Sequence, residues 1–586
     1  MYGAVGFFLS GSLALEAKEK AVLACGQALS HFPWLERKRL QHGSGQLELW
    51  SHHNPDSSTY VDNFGNLFTL IGPYSSTILW EDAIEQLEKQ GDNAFELPWE
   101  GRCVLIRISR TGEDWTIWND WCGSIPVFHI AVNGLSFVSS LEPLIVAAAG
   151  FTSKDFSKRG IIEMLVHGHF LGTDTLFAKM QKLIPDAVSC WSKGVFDNSR
   201  ILWTVKPSDI RWEKDQDKLI EEMYEYTVKA LDDTFCHHNE WILPLSGGMD
   251  SRLIACRSVK AGVDIQAFTY GPSKWNETVY AQKVARALSI PWQRVDLGTD
   301  YLASYTPMWL DWFGSSLHTH GMYQMPFLQS LEKIDAPIIL GFMGEALAGH
   351  HLKVLNQSGS TPYQWFCNFG VTWNVKEATR VLAFDPSKIF SEISNLMQDQ
   401  FDLLKGAKYQ RQMFLDFWNR QHNFIFYQSM MHSYLKGVYT PYMNREYARF
   451  CLSLPQFALK GRYLQKKMLK RYWPEAAKIS STYSQSSLVE AGWSTAKQMA
   501  KYFLPWKVVV KLMRSFGVVS NTMDLDCVKA TGWKSLFPLN KDFDGQDIFN
   551  VDEVLNTAWR VQNYSQKDYS KVKVLQCIIY RMLQKR

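Results

Sequence analysis

The hydrophobic pattern divides the chain into a strand-rich first part and a second part in which strand and helix patterns alternate. Short apolar or alternating runs between turn residues indicate strands at 104–109, 115–120, 127–132 and 135–140. Helical patterns follow at 141–149 and 159–166. This mixture predicts a layered α+β structure for residues 1–205.

The pattern changes after a linker near residues 205–209. An amphipathic helix is predicted at 214–235, and apolar runs that favour strands begin at residues 241, 264, 292 and 337. Asn276 is predicted to cap the helix that follows the second run, with Glu277 in its first turn. Alternating strands and helices predict a parallel sheet whose ligand lies at the carboxyl ends of the strands. Residues 355–480 are predicted to be largely helical.

The sequence Ser-Gly-Gly-Met-Asp-Ser at 246–251 joins a predicted strand to a predicted helix. Its two glycines allow backbone N–H groups to approach a ligand, and the helix N-terminus adds partial positive charge. Hydroxyl groups add donors, and Asp250 offers oxygen to a divalent cation. The segment therefore predicts a cradle for nucleotide phosphates, with a strand–helix turn without ligand as the alternative. It is not a Walker A loop, because no lysine follows Gly248.

The pattern Ser-Gly-Gly-x-Asp-Ser resembles the pyrophosphate loop of ATP pyrophosphatases, which split ATP between the α- and β-phosphates. Residues 119–128 (Asn-Asp-Trp-Cys-Gly-Ser-Ile-Pro-Val-Phe) resemble the glutamine-amidotransferase domain of asparagine synthetases. Residues 461–474 resemble a later segment of the same family. Similar layouts occur in β-lactam synthetases, lasso-peptide cyclases and homologues from polysaccharide gene clusters.

The resemblance implies three domains. Residues 1–205 would form an Ntn-type α+β sandwich of the class II glutamine-amidotransferase kind. Residues 213–490 would form an α/β parallel-sheet ATP-pyrophosphatase domain with a helical C-terminal part, and residues 491–586 a helical extension of it. Tyr2 stands where the family has its nucleophilic cysteine. A phenol cannot replace a small, readily ionised thiol, so no glutaminase activity is expected.

Aligned with the family, Glu345 falls on the second metal-ligand Asp, so Asp250 and Glu345 are the implied Mg2+ ligands. Thr482 stands where the family has a lysine that stabilises charge on the α-phosphate. Lys478 is the nearest cation and completes the implied catalytic set, with Lys466 and Lys470 as alternatives. The implied ATP-binding residues are Pro244, Leu245, Ser246, Gly247, Gly248, Asp250, Ser251, Tyr270, Gly271, Leu340 and Gly341.

Three more positions depart from the family. Phe342 replaces a substrate-binding Glu, Tyr439 replaces an Arg, and Asn444 replaces an Asp. The first two argue that the substrate need not be aspartate. The pairs His318–His320 and His350–His351 raise a zinc site as an alternative, although no further spaced ligand supports it.

The resemblance implies an ATP-dependent ligase that activates a carboxylate as an acyl-adenylate, releases pyrophosphate, and lets an amine displace AMP. The carboxylate would belong to a small molecule or a peptide, and the amine would not come from glutamine hydrolysed by its own first domain. A catalytically impaired nucleotide-binding partner or regulator is the alternative, favoured by Thr482 and Phe342. Enzymes such as NAD synthetase share the loop, but the amidotransferase-like first part disfavours them.

Charge and composition bear on three other classes of protein, those that bind nucleic acid, those associated with membranes and those that are secreted. A net charge of +4 over 586 residues, without a dense Lys/Arg block, gives no case for a nucleic-acid or membrane-surface protein. No 18-residue apolar run predicts a membrane span, and the apolar start lacks the charged residues of a signal peptide. Ten scattered cysteines without a Cys-x-x-Cys indicate reduced thiols in a cytoplasmic protein. The sequence leaves a homodimer open.

Overall fold

The computed structural model describes most of the chain up to residue 481 and two later segments. The described ranges are 4–11, 15–52, 58–74, 78–90, 96–132, 135–211, 213, 215–273, 275–298, 301–356, 359–481, 547–556 and 569–583. The predictions that concern Tyr2, Thr482 and most of the C-terminal extension lie outside these residues.

The described part of the first 201 residues contains two antiparallel six-stranded sheets. Its strands are Gly6–Ser10 (β1), Glu36–His42 (β2), Gly45–Ser51 (β3), Thr59–Val61 (β4), Leu67–Ile71 (β5), Val104–Ile108 (β6), Trp115–Asn119 (β7), Phe128–Val132 (β8), Leu135–Ser139 (β9), Gln181–Lys182 (β10), Ala187–Ser192 (β11) and Val195–Ile201 (β12). The strand orders are β10-β8-β9-β1-β3-β2 and β12-β11-β7-β6-β5-β4. The helices of this part are Leu15–Leu29 (α1), Trp80–Gln90 (α2), Glu142–Ala149 (α3) and Lys158–His167 (α4).

Strand alternation gives each sheet two packed faces. Residues such as Phe7 of β1 and Ile117 of β7 belong to one apolar core that both sheets share. The other face of the second sheet, including Leu105, packs against Ala83 and Leu87 of α2. Helix α3 packs on β8 and β9, with α1 beside it. The predicted α+β layering is confirmed, whereas membership of the Ntn class stays a prediction.

A third sheet, whose strands are all parallel, forms the centre of the later part. Its described strands are Glu240–Pro244 (β13), Asp264–Tyr270 (β14), Trp292–Val295 (β15), Ile338–Ile339 (β16) and Val438–Tyr439 (β17), in the order β15-β14-β13-β16-β17. The strand that follows β13 in the chain, β14, pairs with one edge of β13, whereas the later strand β16 pairs with its other edge. A ligand crevice is expected at the carboxyl ends of these two strands, where the order reverses. The predicted parallel sheet is therefore confirmed.

Helices make up much of the rest, as predicted. They are Gln216–Phe235 (α5), Asp250–Ala261 (α6), Asn276–Ala287 (α7), Tyr301–Phe313 (α8), Met325–Ser330 (α9), Gly344–Leu347 (α10), Leu352–Leu355 (α11), Pro362–Cys367 (α12), Val375–Val381 (α13), Ser387–Leu403 (α14), Lys408–Leu415 (α15), Phe426–Gln428 (α16), Met430–Leu435 (α17), Arg445–Ser453 (α18), Gln456–Leu459 (α19), Tyr463–Tyr472 (α20), Pro474–Ala477 (α21) and Tyr569–Leu583 (α22). A π-helix, Asp416–Ile425, continues from α15.

The first two of the three predicted domains share buried surface. Phe32 of the first part packs edge-on against Trp312 of α8, with ring centroids 4.6 Å apart. Trp121 donates its indole N–H to the Met443 carbonyl at 2.8 Å. Helix α22 packs on α4 and also on the 3-10 helix Thr319–Gln324. The described end of the C-terminal extension therefore contacts both parts of the chain.

Lys182 is a cation buried between the two parts. Its side chain is 1% exposed, donates to Asn423, and lies near the rings of Phe128 and Tyr427. Burial lowers its pKa to about 7, although nearby carboxylates such as Glu163 oppose the shift. The folded state therefore binds fewer protons than the unfolded chain between pH 7 and the ordinary lysine pKa of 10.5.

We expect the free energy of unfolding to rise with pH through that window, because folding requires Lys182 to release a proton and this release costs less as the pH rises. Lys182→Met should remove this rise, a change on the order of a few kcal/mol. Denaturant unfolding at pH 7 and pH 9.5 measures it, with the exposed Lys154→Met as control. Equal pH dependence in the wild type and Lys182→Met would contradict the assignment.

Candidate functional site

The loop between β13 and α6 is folded against the start of its own helix. The Ser246 N–H donates to the Ser251 hydroxyl at 3.1 Å, and the two serine hydroxyls lie 3.0 Å apart. The Gly248 N–H donates to the Ser246 hydroxyl at 3.0 Å. Leu245 is fixed to β14 by a bond from its N–H to the Phe268 carbonyl, at 2.8 Å. The predicted loop therefore lies at the reversal of strand order.

The Gly247 N–H already holds an anion. It donates to the carboxylate of Glu277 at 2.5 Å. Glu277 lies in the first turn of α7, as predicted, but Asn276 is the first helical residue and provides no side-chain cap. The predicted cap is therefore wrong, and Glu277 reaches across to the loop instead. A carboxylate oxygen at this N–H marks where an oxygen of another anion would bind.

The loop after β16 packs directly against Asp250. A Cβ atom on Gly341 would lie 2.8 Å from the Asp250 Cβ, and one on Gly344 would lie 2.5 Å from its Oδ1. Only glycine allows such close approach. Glu345 follows Gly344 directly, and its charge contributes to the raised pKa of Asp250. The structure therefore brings together the two carboxylates that the sequence predicts as a pair.

Arg462 forms an ion pair with Asp250. Its guanidinium is 3% exposed, donates to Asp250 Oδ1, and donates from Nε to the Gln465 side chain at 2.6 Å. Burial raises the pKa of Asp250, aided by Glu345 and opposed by Arg462. Burial acts to lower the pKa of Arg462, but Asp250 and Glu345 outweigh it and raise that pKa. The pair therefore keeps a permanent cation beside the loop.

The backbone at Arg462 is unusual. Arg462 has a φ of 61°, in the left-handed region that side-chain-bearing residues rarely adopt. Strain of this kind tends to occur at functional sites. Tyr442 adds a bond from its hydroxyl to the Asp250 carbonyl at 3.1 Å. Arg462, Tyr442 and Glu277 are functional candidates that the sequence analysis did not single out as site residues.

Glu345 is hydrogen-bonded to a histidine. The Nε2 of His351 lies 3.2 Å from Glu345 Oε1, and its Nδ1 lies 2.5 Å from Asp416 Oδ2. Burial opposes a charged ring, but Asp416 and Glu345 prevail and raise the pKa of His351 to about 9. Both ring nitrogens then donate to carboxylates. Burial likewise opposes the charge on Glu345, yet His351, Arg462 and His350 hold its pKa well below the ordinary value.

Arg252 ties the loop to the segment that precedes residue 482. This buried guanidinium donates to the Gly247 carbonyl at 3.1 Å. It also donates to the carbonyls of Ala476, Ile479 and Ser480, at 2.8–3.0 Å. Burial lowers its pKa to about 10. One side chain therefore fixes the position of two segments that border the crevice.

Other predicted residues lie beside the loop. Tyr270 ends β14, next to β13, and Gly271 follows it; Tyr270 packs against Tyr323 and Phe327. Leu340 is buried and donates its N–H to the Tyr439 carbonyl at 2.8 Å. The structure therefore joins the predicted ATP-binding residues along three neighbouring strand ends.

Lys478 does not join this group. Its side chain is 63% exposed and pairs with Glu475 at 2.6 Å. Of the two alternative cations, Lys466 is half-buried near Arg462, whereas Lys470 lines a groove with Asp215. Of these three lysines and Arg462, Arg462 forms an ion pair with Asp250.

Two departures from the family have structural roles here. Tyr439 is buried against Trp241, and its hydroxyl lies 3.0 Å from His238 Nε2. Asn444 caps α18 by accepting the Tyr447 N–H at 3.0 Å. By contrast, Phe342 is half-buried beside Phe426, next to the candidate site. Of the two residues whose change argues against aspartate as the substrate, Phe342 and Tyr439, it is Phe342 that follows Gly341 directly in the loop after β16.

The histidine pairs do not converge. His318 packs against Phe424 and lies near Gly168, whereas His350 and His351 lie beside Glu345. Within the described ranges, no three His, Cys, Asp or Glu side chains are grouped so that they could hold a metal ion. Nothing in these ranges therefore supports the zinc alternative.

Residues 241–329 match the family model for asparagine synthase. The matched segment contains the loop at 246–251 and Glu277 but ends before Glu345 and Arg462. The chain therefore contains an asparagine-synthase-like domain, which supports an ATP-dependent amide-ligase kind of activity. A comparison with curated proteins found no match.

Two solved structures illustrate the more distant similarity. One is glutamine phosphoribosylpyrophosphate amidotransferase from B. subtilis complexed with ADP and GMP, with 9% identity and a TM-score of 0.22. The alignment covers 49% of this chain and 65% of that chain. The other is NMN synthetase from Francisella tularensis, with 14% identity, a TM-score of 0.20, and coverage of 36% and 95%. Scores this low support no conclusion about fold or activity.

The structure bears on two further sequence expectations. No helix in the described residues is long and apolar enough to cross a membrane. The nine cysteines in the described part of the chain are free thiols.

Arg252→Lys tests the connection between the loop and residues 476–480. Lysine cannot reach all four carbonyls, so some would be left buried and unpaired at about 1–3 kcal/mol each. We expect a loss on the order of 3 kcal/mol in the free energy of unfolding. Faster amide exchange at residues 476–481 should accompany it.

Arg257→Lys is the matched control, because Arg257 lies on the same helix and pairs with Asp232 near the surface. Its loss should be about 1 kcal/mol or less. Equal losses for the two variants, without faster exchange in Arg252→Lys, would contradict the role assigned to Arg252.

Proposed function

We propose that this protein is an ATP-dependent amide ligase that activates a carboxylate as an acyl-adenylate. The observation that carries the proposal is the convergence of Asp250, Glu345 and Arg462 beside a loop whose Gly247 N–H already binds a carboxylate oxygen. This arrangement supplies an anion cradle, a pair of acidic groups and a cation, all at the reversal of strand order. Attack on the α-phosphate of a nucleotide requires groups of these kinds, because they stabilise the negative charge that develops on the phosphate.

The triphosphate of ATP would lie on the loop. The N–H groups of Gly247 and Gly248 and the hydroxyls of Ser246 and Ser251 would contact its oxygens, after displacing Glu277 and the bonds within the loop. Tyr270, Gly271, Leu340 and Gly341 would border the rest of the nucleotide. Arg462 takes the charge-stabilising role first assigned to Lys478, because it is buried at Asp250 whereas Lys478 is exposed.

Mg2+ fits this site by the chemistry of its donors. Such ions are commonly held by one or two carboxylates together with phosphate oxygens and water. Asp250 and Glu345 would be these carboxylates. When bound, the ion would neutralise phosphate charge and polarise the phosphorus–oxygen bonds. Arg462 already donates to one oxygen of Asp250, so Arg462 and Mg2+ would both bind this carboxylate.

The reaction would proceed in two steps. A substrate carboxylate oxygen attacks the α-phosphorus, the bond to the β-phosphate oxygen breaks, and pyrophosphate leaves. An amine nitrogen then attacks the acyl carbon, AMP leaves, and the nitrogen releases a proton. The partly exposed ring of Phe342, which packs on the buried Phe426, lies next to this site and favours a substrate with an apolar portion. Because Tyr2 carries no thiol, the amine would come from another source.

The second candidate is a nucleotide-binding partner or regulator without catalysis. The position of Lys478 on the surface favours it, since the cation expected from the family does not reach the loop. In that case ATP would bind but no carboxylate would be activated.

ATP–pyrophosphate exchange distinguishes the two candidates. The assay would use Mg2+, ATP and labelled pyrophosphate across a panel of carboxylates and peptides, with Asp250→Asn as the inactive control. Carboxylate-dependent exchange that the variant loses would support the ligase and identify the acyl donor. ATP binding without exchange for any member of the panel would favour the second candidate.

Glu277→Gln tests the phosphate cradle. The change removes a negative charge that competes with phosphate for the Gly247 N–H. We expect ATP to bind about tenfold more tightly, equivalent to about 1.4 kcal/mol. Calorimetric titration measures this, with Glu221→Gln on an exposed face of α5 as control. Unchanged or weaker binding by Glu277→Gln would argue against phosphate at this N–H.

A further inference from the structure

A buried π-helix lies between the candidate site and the first part of the chain. A π-helix as long as Asp416–Ile425 is rare, and π-helical turns often occur at functional sites. At its start, Asp416 accepts a hydrogen bond from His351 at 2.5 Å. Further along, His422 contacts the Gly123 carbonyl at 2.8 Å. The π-helix therefore contacts both regions.

Gly172 adds two more contacts to the same π-helix. Its N–H donates to the Asn419 side chain at 2.8 Å, and its carbonyl accepts from the Asn423 side chain at 3.0 Å. Asn419 also donates to Gln400 at 2.8 Å. Side-chain bonds to the backbone of residues 123 and 172 therefore fix the π-helix against the first part of the chain.

The side chains from Asp416 to Glu345 form a series of hydrogen bonds that is buried at Asp416 and partly exposed at Glu345. Asp416 is 1% exposed and also accepts from Gln421, at 3.3 Å to each oxygen. His351 is held on one side by Asp416 and on the other by Glu345, and its ring packs edge-on against Phe369. The ring therefore has little freedom to rotate, and it restricts the Glu345 carboxylate.

A second contact reaches the same loop from the first part. Met343 has a φ of 69°, and its sulfur lies 3.9 Å from the Cys122 thiol. The backbone around Cys122 is itself fixed, because the buried carboxylate of Asp120 accepts the N–H groups of Cys122 and Ser124 at 3.0 and 3.1 Å. The loop that carries Glu345 is therefore braced through Met343 as well as through His351.

We propose that His351 is a positioning residue for the Glu345 carboxylate, held in place by the first part of the chain through the π-helix. The inference rests on the proposed role of Glu345 in holding Mg2+ with the nucleotide. In this proposal residues 1–201 have a structural role that does not require glutamine hydrolysis. The first part supports the geometry of the ligase site.

Two substitutions separate the two contacts of the His351 ring. His351→Asn keeps a nitrogen near Nδ1, facing Asp416, but does not reach Glu345. His351→Gln places a nitrogen near Nε2, facing Glu345, but loses the contact to Asp416. Groups that orient a metal ligand typically contribute about 10–100-fold to metal affinity. His351→Asn should therefore raise the Mg2+ concentration for half-maximal binding of α,β-methylene-ATP by about that factor, and His351→Gln by less.

Calorimetry across a Mg2+ series gives this concentration, and thermal unfolding of the full chain reports general damage. The control is His432→Gln, a buried histidine of α17 that packs against Phe327. It should lower the melting temperature without moving the Mg2+ midpoint. Asn419→Ala removes the contact to Gly172 and should move the midpoint in the same direction as His351→Asn. The double variant should shift it by less than the sum of the two effects.

An unchanged Mg2+ midpoint in His351→Asn would overturn the proposal, as would an equal shift in His432→Gln. An unchanged midpoint in Asn419→Ala would overturn the part assigned to the first region of the chain. Failure of the wild type itself to bind the nucleotide with Mg2+ would instead remove the proposed function, and this inference with it.

Discussion

The ion pair between Arg462 and Asp250 is the interaction on which the candidate site depends. Asp250 begins α6, and the glycines of the loop after β16 pack against its side chain, so the carboxylate is enclosed by backbone from two segments. A carboxylate in such a position needs a partner, since removing one member of a buried pair typically costs about 3–5 kcal/mol. Arg462 supplies it from a strained backbone position and also gives the site its cation.

The rest of the site is built around this pair by side chains that fix one segment to another. Arg252 joins the loop to residues 476–480, and His351 joins Glu345 to the π-helix. The π-helix is in turn bonded to the first part of the chain, which shares an apolar core with α8 and α17. Two regions that resemble separate domains in the sequence therefore act as one structural support for the crevice.

Local signals in the sequence were enough for the sheet and for the loop. Strand–loop–helix order and two glycines at 246–251 predict an anion site because each requirement is met within a few residues. Arg462 could not be found this way, since its contact with Asp250 spans 212 positions and depends on how α20 packs. Closeness in the alignment favours Lys478, but an alignment does not show that its side chain faces solvent. The π-helix was also missed, because its apolar spacing looks like that of an ordinary helix.

The central claim is that the loop at 246–251 binds the phosphates of ATP while Asp250, Glu345 and Arg462 surround them. A crystal structure with Mg2+ and α,β-methylene-ATP tests it most directly. The account predicts phosphate oxygens on the N–H groups of Gly247 and Gly248, with the Glu277 carboxylate displaced and Arg462 facing the α-phosphate. A nucleotide bound elsewhere, with Glu277 still on Gly247, would contradict the account.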